Sequence, residues 1–333
     1  MCVASSKSWR YLRDQDLIDV VAPGFRPTDA EVQFGVKFLE RWGFRVRLPR
    51  DLFAEDVIAS NTDAARFRHL RQALQARDSR AIWCLRGGYG AIRIVPHLME
   101  MKRPATTPKL LVGLSDVTTL HLFLNQTWGW PSLHASLVDR LARLMESSLA
   151  TGGKPVPPAE QVAELLRVIR GEQEEIQFQE LEVLHRGRGD RIRKGVSGGG
   201  NLVTWASALA TPLHPKTTGR ILVFEDIGER GYRVDRLLEQ LRQAKVFNEK
   251  TVAVIFGEFT GDQEPGGEAT RVPAVIERFA QQVGREFGIA VLRGLPVGHG
   301  VQQRSLPLGV KSELDLRNGS WTLRTGGQAG RTL

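Results

Sequence analysis

The chain has 333 residues, of which 41% are hydrophobic, and it carries a formal net charge of +9 at pH 7. This length and composition are ordinary for a globular protein with a large core, and they favour two domains over one. Its only cysteines, Cys2 and Cys84, argue against a disulfide framework and against a cysteine-based metal site. Cys84 lies within an apolar run and is expected to be a small buried side chain.

No run of residues approaches the roughly 18 apolar side chains of a membrane-spanning helix, and the first residues lack the apolar core of a signal peptide. We therefore expect a cytoplasmic protein with no membrane partner. The basic residues are spread along the chain, and their densest group, between Arg186 and Lys194, lacks interleaved aromatic side chains. This pattern argues against a specific nucleic-acid partner, whereas a positive field would attract a substrate with several carboxylates.

The first 150 residues alternate short apolar runs with helical patterns. Strands are predicted at residues 17–22, 44–48, 81–85 and 110–113. Helices are predicted at residues 29–42, ended by Gly43, and at residues 62–76, capped by Asn61. Strands that alternate with helices predict an α/β domain built on a doubly wound parallel sheet over residues 1–150.

Residues 151–187 have the composition of a linker, with glycines and prolines up to residue 158, a helical pattern at 159–170 and a charged stretch at 171–175. Residues 188–333 are predicted to form a β-rich α+β domain. Its strands are expected at residues 220–224, 252–256, 289–292, 309–316 and 320–324. The glycines at 198–200, followed by Asn201, are expected to precede a helix that runs through Leu209.

The segment Gly113-Leu114-Ser115-Asp116 lies between an apolar run and a helical pattern, and it is predicted to form a strand, a turn and a helix. A sharp turn of this kind exposes a serine Oγ above the sheet edge, as a nucleophile requires. Asp116 stands where the G-x-S-x-G pattern has its last glycine. The alternative is that Ser115 or Asp116 merely caps the helix, because both residue types are favoured caps.

The segment Arg86-Gly87-Gly88-Tyr89-Gly90 follows the third predicted strand, and the carboxyl ends of such strands are where ligands bind. It fits neither G-x-G-x-x-G nor a P-loop, so a nucleotide site is not expected. Residues without a Cβ instead allow a backbone amide to approach a reacting oxygen closely.

An activated serine needs a base, and the base needs an orienting group. His299, between two glycines, and His134, at a strand end, are rival candidates for the base, and the alternative for His299 is a solvated loop residue. Glu225 and Asp226 end an apolar strand and are candidates for the acid. The alternative is that Glu225 forms a surface pair with an arginine such as Arg233.

Together these motifs resemble the LD-carboxypeptidase family of serine peptidases, which includes murein tetrapeptide carboxypeptidases and microcin C immunity peptidases. The resemblance extends from about residue 17 to residue 316. The motifs that carry it are Arg86-Gly87-Gly88-Tyr89-Gly90, Gly113-Leu114-Ser115-Asp116, Gly198-Gly199-Gly200-Asn201-Leu202, Glu225-Asp226-Ile227-Gly228-Glu229 with Tyr232 and Asp235-Arg236, and Gly298-His299 followed by Leu306-Pro307-Leu308-Gly309.

The resemblance implies that Ser115 is the nucleophile, His299 the general base and then acid, and Glu225 the group that orients His299. The backbone N–H groups of Gly88 and Asp116 would form the oxyanion hole, while the Asp116 side chain caps its helix. The family needs no metal or other cofactor and is usually a homodimer.

For function, the resemblance implies cleavage of an L,D-amide bond next to a terminal D-amino acid in murein tetrapeptides, through an acyl-enzyme, in cell-wall recycling. Arg86 is a candidate for gripping the terminal carboxylate. One alternative is a microcin C immunity-type peptidase acting on peptidyl- or aminoacyl-nucleotide analogues, with Trp128, Trp130 or Trp205 stacked on the base. Another is a non-catalytic muropeptide-binding protein on the same scaffold.

Three positions depart from the family pattern. The chain reads His134-Ala135-Ser136 where family members commonly have His-Gly-Pro, and Asp139 and Arg140 follow without a matching glycine. Gly24 and Phe25 follow Pro23, where the family often has a serine. These departures lie on the substrate side of the expected cleft.

Overall fold

The computed structural model describes residues 9–105, 107–150, 159–267, 269–301 and 303–324, which form two sheets flanked by helices. In the first sheet the strand order is β12-β5-β4-β3-β1-β2. Its strands are β1 Leu17–Val21, β2 Arg45–Arg47, β3 Ser79–Cys84, β4 Leu110–Gly113, β5 Ser132–His134 and β12 Leu306–Leu308. Strands β1 to β5 pair in parallel and only β12 is antiparallel, so the predicted doubly wound parallel sheet is confirmed.

The helices of this half are α1 Asp29–Arg41, α2 Asp63–Gln75, α3 Val95–Glu100, α4 Thr118–Phe123 and α5 Val138–Ala150. The prediction that Asn61 caps α2 is wrong, because Thr62 does so by accepting a hydrogen bond from Ala65 N at 3.3 Å. Asn61 instead uses its amide to hold the carbonyls of Asp51 and Leu52 in the preceding loop.

The second sheet has the strand order β6-β14-β13-β8-β9-β10-β11-β7. Its strands are β6 Glu175–Phe178, β7 Glu182–His185, β8 Ile192–Asn201, β9 Arg220–Ile227, β10 Ala253–Thr260, β11 Ala290–Arg293, β13 Lys311–Asp315 and β14 Ser320–Arg324. Strands β8 to β11 are parallel and the outer strands are antiparallel. The helices of this half are α6 Ala159–Arg170, α7 Leu202–Ala206, α8 Gly231–Gln243 and α9 Val272–Phe287.

The glycines at 198–200 precede helix α7, as expected, and form the end of β8, but α7 ends at Ala206, before Leu209. Gly199 and Gly200 have φ angles of +104° and +130°. A Cβ on Gly199 would collide with the carbonyl of Val223 on the neighbouring strand. Glycine is therefore required here for close approach of two strands.

Much of the stretch expected to be a linker is regular structure. Its residues 159–170 form α6, as the helical pattern predicts, but residues 175–178 and 182–185 form β6 and β7 at the two edges of the second sheet. In β6 the buried side chains of Ile176 and Phe178 alternate with exposed ones, which is the period of a half-buried strand. Residues 151–158 lie outside the described part of the chain.

The two halves are interlocked rather than joined by one connection. Strand β12, from the second half, pairs with β5 at the edge of the first sheet. Helix α6 contacts the N-terminal segment, where Leu12 N donates to Ile169 O at 2.9 Å. Cys84 is fully buried, as expected, and burial raises the pKa of its thiol. Within the described ranges, no helix is long and apolar enough to cross a membrane.

Strands β1 and β3 are neighbours whose following connections lead to opposite sides of the first sheet. The loops at such a switch point form the crevice in which doubly wound sheets bind ligands. The loop after β1 contacts the loop after β3, because Phe25 N donates to Gly87 O at 2.8 Å. This edge, and the turn after β4 beside it, carries the glycine and serine motifs.

Candidate active site

Ser115 follows β4 in a sharp turn and is half-buried. Its φ angle is +64°, in the left-handed region that residues with a Cβ rarely adopt. Such strain persists where the surrounding structure imposes it, and a strained serine between a strand and a helix has the geometry of a nucleophile elbow. The turn Ser115–Val117 and helix α4 have no side-chain cap hydrogen bond, so the capping alternative is wrong.

The glycine-rich loop lies directly against this serine. A Cβ on Gly87 would lie 2.7 Å from the Cβ and 2.9 Å from the Oγ of Ser115. Gly88 has a φ angle of +93°, and a Cβ there would collide with the ring of Phe25. The absence of side chains therefore lets backbone amides approach the serine hydroxyl.

The carboxylate of Asp116 connects the serine turn to this loop. Its Oδ2 accepts a hydrogen bond from Ala91 N at 2.8 Å, at the end of the glycine-rich segment. The expectation that this side chain caps its own helix is wrong, because the turn directs it across to the neighbouring loop. Burial raises the pKa of Asp116 to about 6, and the donated hydrogen bonds from the loop partly oppose this.

Glu225 and His299 form a buried hydrogen-bonded pair. The Nδ1 of His299 lies 2.7 Å from Oε2 of Glu225, which is wholly inaccessible on β9, while the His299 side chain remains 13% exposed. Burial raises the pKa of Glu225, but the charge and hydrogen bond of His299 and the contact with His134 together outweigh it and lower the pKa to about 2. Burial lowers the pKa of His299, but the charge and hydrogen bond of Glu225, together with the charge of Asp226, outweigh it and raise the pKa above its ordinary value.

Both alternatives for these two residues are wrong. Glu225 does not pair with Arg233, which lies 3.8 Å from the carboxylate of Glu229. His299 is not a solvated loop residue, because its ring is largely enclosed. Gly298 beside it has a φ angle of +148°, and a Cβ there would lie 3.2 Å from the Cβ of Glu225.

His134, the rival histidine, lies on the other side of the same carboxylate. Its Nε2 is 3.4 Å from Oε1 of Glu225, and neither side chain has any exposed surface. The ring of His134 is wholly buried and has no surface that a substrate could reach, whereas the ring of His299 is partly accessible. The geometry therefore distinguishes the two histidines, which sequence patterns had left as rivals.

Two sets of contacts connect the serine turn to Glu225. In the first sheet, Gly113 on β4 pairs with His134 on β5, and His134 contacts Glu225. In addition, Asn201 N donates to Thr118 Oγ1 at 2.9 Å, and Asn201 is the strand partner of Glu225. These contacts connect the predicted serine motif to the carboxylate that His299 contacts, although the three motifs come from separate parts of the chain.

Asp226, the other carboxylate of this strand, points away from His299. It accepts hydrogen bonds from Asn201 Nδ2 at 2.8 Å, from Val203 N at 2.9 Å and from Ile227 N at 2.8 Å. Burial, together with the charge of Glu225, raises the pKa of Asp226 to about 7. This carboxylate fixes the start of α7.

The guanidinium of Arg86 faces two carboxylates of the chain itself. It lies 3.3 Å from Glu31 and 3.8 Å from Asp139, and Arg143 contacts the same two side chains at 2.7 and 3.2 Å. Arg86 is 37% exposed at its side chain, so part of its surface faces solvent.

Arg140 and Glu258 are polar neighbours of the histidine loop whose contacts the sequence patterns did not reveal. Arg140 donates to the carbonyls of His299 and Gly300, and Glu258 accepts from Gly300 N at 3.1 Å. The departure from the family pattern at Arg140 indicated that this position differs from the family. It did not indicate which groups Arg140 contacts.

Two further expectations bear on ligands. The tryptophans considered for base stacking are buried, with Trp128 4%, Trp130 1% and Trp205 1% exposed. Among the residues that the structure describes, no three histidine, cysteine, aspartate or glutamate side chains are grouped to hold a metal ion.

Family comparison identifies both halves of the chain. Residues 18–135 match the LD-carboxypeptidase N-terminal domain, and residues 194–314 match the LD-carboxypeptidase C-terminal domain. The murein tetrapeptide carboxypeptidase of Pseudomonas aeruginosa is 28% identical over 96% of this chain and 98% of its own length. The microcin C7 self-immunity protein of Escherichia coli is 24% identical over 85% of each chain.

The same relationship is visible in solved structures. The muramoyltetrapeptide carboxypeptidase from Oxalobacter formigenes superposes with a TM-score of 0.75 and 25% identity, covering 94% of this chain and all of that one. The microcin C7 self-immunity protein in complex with aspartyl sulfamoyl adenosine has a TM-score of 0.76 at 20% identity, covering 95% of this chain and 98% of that one, and shows the shared fold alone. Since the two family domains together span well over half of the sequence, the chain belongs to the LD-carboxypeptidase family.

Proposed function

We propose that this protein is a serine carboxypeptidase that cleaves the L,D-amide bond next to the terminal D-amino acid of murein tetrapeptides, as part of cell-wall recycling. The observation that carries the proposal is the left-handed backbone of Ser115, with the glycine-rich loop packed against its hydroxyl. A binding protein would have no need of a strained serine at this position. The hydrogen-bonded pair of His299 and Glu225, which contacts through His134 and Asn201 connect to the serine turn, also supports the proposal.

In the proposed mechanism, Ser115 Oγ attacks the carbonyl carbon of the scissile amide. The hydrogen bond from His299 Nδ1–H to Glu225 leaves Nε2 as the unprotonated nitrogen, which takes the serine proton and then gives it to the leaving amine. The D-amino acid departs, and water attacks the acyl-enzyme with His299 again acting as base. The carboxylate of Glu225 stabilises the imidazolium that forms twice in this cycle.

We assign the oxyanion hole to the backbone N–H groups of Gly88 and Asp116. The glycine-rich loop approaches the serine closely, and the Asp116 carboxylate holds the end of that loop through Ala91 N. Preorganised donors of this kind are typically worth about 10²–10³ in turnover each. Asp116 therefore contributes twice, with its amide to the transition state and with its side chain to the loop.

The substrate assignment is supported by the relatives and by charge. The Pseudomonas relative is named for murein tetrapeptide, and the net charge of +9 favours a substrate with several carboxylates. Arg86, at the start of the glycine-rich loop, is the proposed partner of the terminal carboxylate. To bind it, Arg86 would have to exchange its contacts with Glu31 and Asp139 for the substrate.

The microcin C immunity-type alternative has no specific support in the cleft, because the three tryptophans proposed for base stacking are in the core. We also propose a cytoplasmic homodimer that needs no cofactor. Sedimentation velocity on the purified chain tests the oligomeric state, and a monomer at all concentrations would overturn that part of the proposal.

The proposed nucleophile and substrate are tested together with murein tetrapeptide and the Ser115→Ala variant. We expect the unaltered protein to release D-alanine and Ser115→Ala to lose about 10⁴-fold or more of the rate, as removal of a nucleophile in a triad does. Ser207→Ala is the matched control, because Ser207 is exposed and its hydroxyl donates to the carbonyl of Val203 on α7. Release by neither protein would refute the substrate, and equal release by both would refute the nucleophile.

A further inference from the structure

We propose that residues 134–140, at the end of β5 and the start of α5, position Glu225 and His299 across the cleft, with His134 and Arg140 as the positioning residues. This inference rests on the proposed function, because it gives these two residues a role in the same reaction. We refer to residues 134–140 as the bracing segment.

The first contact of the bracing segment is with Glu225. His134 Nε2 lies 3.4 Å from Oε1, and neither atom has a hydrogen-bond partner in the part of the chain that the structure describes. The other oxygen, Oε2, is 2.7 Å from His299. A buried polar atom without a partner is costly. Moving His134 and Glu225 apart would leave each of these two atoms further from a polar group of opposite character, so we expect the contact to persist. The carboxylate thus lies between the two rings, with Oε1 toward His134 and Oε2 toward His299.

The second contact is with the histidine loop. Arg140 is half-buried, and its NH1 and NH2 groups donate to His299 O at 3.3 Å and to Gly300 O at 2.5 Å. The planar fork of a guanidinium suits two neighbouring carbonyls, which an ammonium group cannot bridge in the same way. Burial lowers the pKa of Arg140. Arg140 therefore fixes the backbone from which the His299 ring extends.

Between these two contacts, the bracing segment forms hydrogen bonds to residues of both halves of the chain. Ser136 Oγ donates to the buried Gln303 Oε1 at 3.0 Å, beyond the histidine loop. Trp83 Nε1 donates to Ser136 O at 2.8 Å, and Ala135 N donates to Gly113 O at 3.1 Å. Gly113 lies two residues before the serine. One short segment thus contacts the nucleophile strand, the carboxylate and the histidine loop.

In the proposed reaction, these contacts would set the distance between the Ser115 hydroxyl and the His299 ring. Ser115 belongs to the first half of the chain, and Glu225 and His299 to the second, so their alignment depends on contacts that cross between the halves. A misplacement of about 1 Å at a reacting centre can cost about 100-fold in rate. The charged groups around His299 are Glu225 and Asp226 on β9, Glu258 on β10 and Arg140 on α5.

The test combines conservative and disruptive variants at both positions. His134→Leu and Arg140→Met are expected to lower kcat on murein tetrapeptide by about 10- to 100-fold with little change in KM, because alignment and not binding is lost. His134→Gln keeps a donor and should restore part of the rate. Arg140→Lys keeps the charge without the fork and should restore little.

Two control variants separate positioning from general stability. His69→Leu removes another buried histidine, whose Nε2 lies 2.9 Å from Asp51, and Arg193→Met removes another guanidinium that donates to backbone carbonyls. Neither residue contacts Ser115, Glu225 or His299 among the described residues. Both control variants should have the same kcat as the unaltered protein, even if their unfolding temperatures change.

A second readout is independent of any substrate. Proton NMR follows the Nδ1 proton of His299, which its hydrogen bond to Glu225 protects from exchange with water. We expect faster exchange of this proton in His134→Leu and Arg140→Met and no change in the controls. If exchange quickens but no tetrapeptide is cleaved even by the unaltered protein, the proposed substrate fails and the positioning role stands.

The positioning role is overturned if the unaltered protein cleaves tetrapeptide and both disruptive variants match the controls in kcat and in proton exchange. It is also overturned if the Nδ1 proton of the unaltered protein exchanges as fast as that of an exposed histidine, because the pair being positioned would then not exist.

Discussion

Three opposing influences determine the charge of the buried carboxylate of Glu225. Burial alone would raise its pKa, but the charge of His299 and the contact with His134 lower it below the ordinary value. The reciprocal effect raises the pKa of His299. Removing either partner would leave the other buried without compensation, which costs several kcal/mol in comparable ion pairs, about 3–5.

This coupling makes a pH prediction for Glu225→Gln. In the proposed mechanism His299 acts as a base only when neutral, so activity is expected to appear as pH rises through its pKa, which lies above the ordinary value of about 6.5. Without the negative charge of Glu225, burial dominates and the pKa of His299 falls. We expect the acidic limb of the kcat/KM profile to move to lower pH while kcat drops by about 10⁴-fold.

The matched control is Glu229→Gln, which removes a carboxylate from the loop that follows β9, 3.8 Å from Arg233. It should leave the acidic limb in place. An acidic limb that stays at the same pH in Glu225→Gln would mean that the titrating group is not His299.

At the scale of elements, helix α1 packs against the start of α5, which is the last part of the bracing segment. Gly35 on α1 faces Val138 at the start of α5, and a Cβ there would collide with the Val138 side chain and lie 2.9 Å from its carbonyl. Glycine in a helix costs up to about 1 kcal/mol relative to alanine. Here that cost is offset by the close approach of two helices.

We therefore expect Gly35→Ala to destabilise the protein despite its better helix propensity. Overpacking typically costs about 1–3 kcal/mol, and it would also shift the start of α5. Urea unfolding gives the loss of stability, and kcat reports the shift of Arg140. Gln33→Ala, exposed on the same helix, should change stability by less than about 0.5 kcal/mol. A variant at Gly35 as stable as this control would contradict the packing argument.

At the scale of the whole molecule, the two halves complete each other's structure. Strand β12 covers the edge of β5, and α6 packs its apolar face, with Leu165, Val168 and Ile169, into the core that contains Leu12. The serine belongs to one half and the histidine and glutamate to the other. Interlocking is thus a condition for assembling the proposed site, and not only for stability.

A fragment of residues 1–150 is accordingly expected not to fold by itself. It would lack β12 and α6, leaving the edge of β5 unpaired and an apolar surface in water, a combination that favours aggregation. Size-exclusion chromatography and near-UV circular dichroism on the fragment, with the full chain as control, measure this. A monomeric fragment with a cooperative unfolding transition would show instead that the predicted boundary at residue 150 separates independent units.

Local patterns in the sequence were sufficient for much of the fold. Strand β4 and helix α6 have the predicted bounds because an apolar run or a helical repeat is bordered by turn-forming residues. Strand β3 begins at Ser79, two residues before the prediction, because a polar residue at a strand end carries no apolar signal. The serine turn was also recognisable, since its signal lies in four consecutive residues.

By itself, the sequence determined the fold class, the family and the motifs of the candidate site, because each depends on residues that are close together in the chain. Only the tertiary structure decided which histidine contacts Glu225 with an accessible ring, that Asp116 holds the neighbouring loop, and that Arg140 contacts the His299 loop. His134 and Arg140 are 91 and 159 residues from their partners. Contacts over such separations depend on strand order and helix packing, which no local pattern encodes.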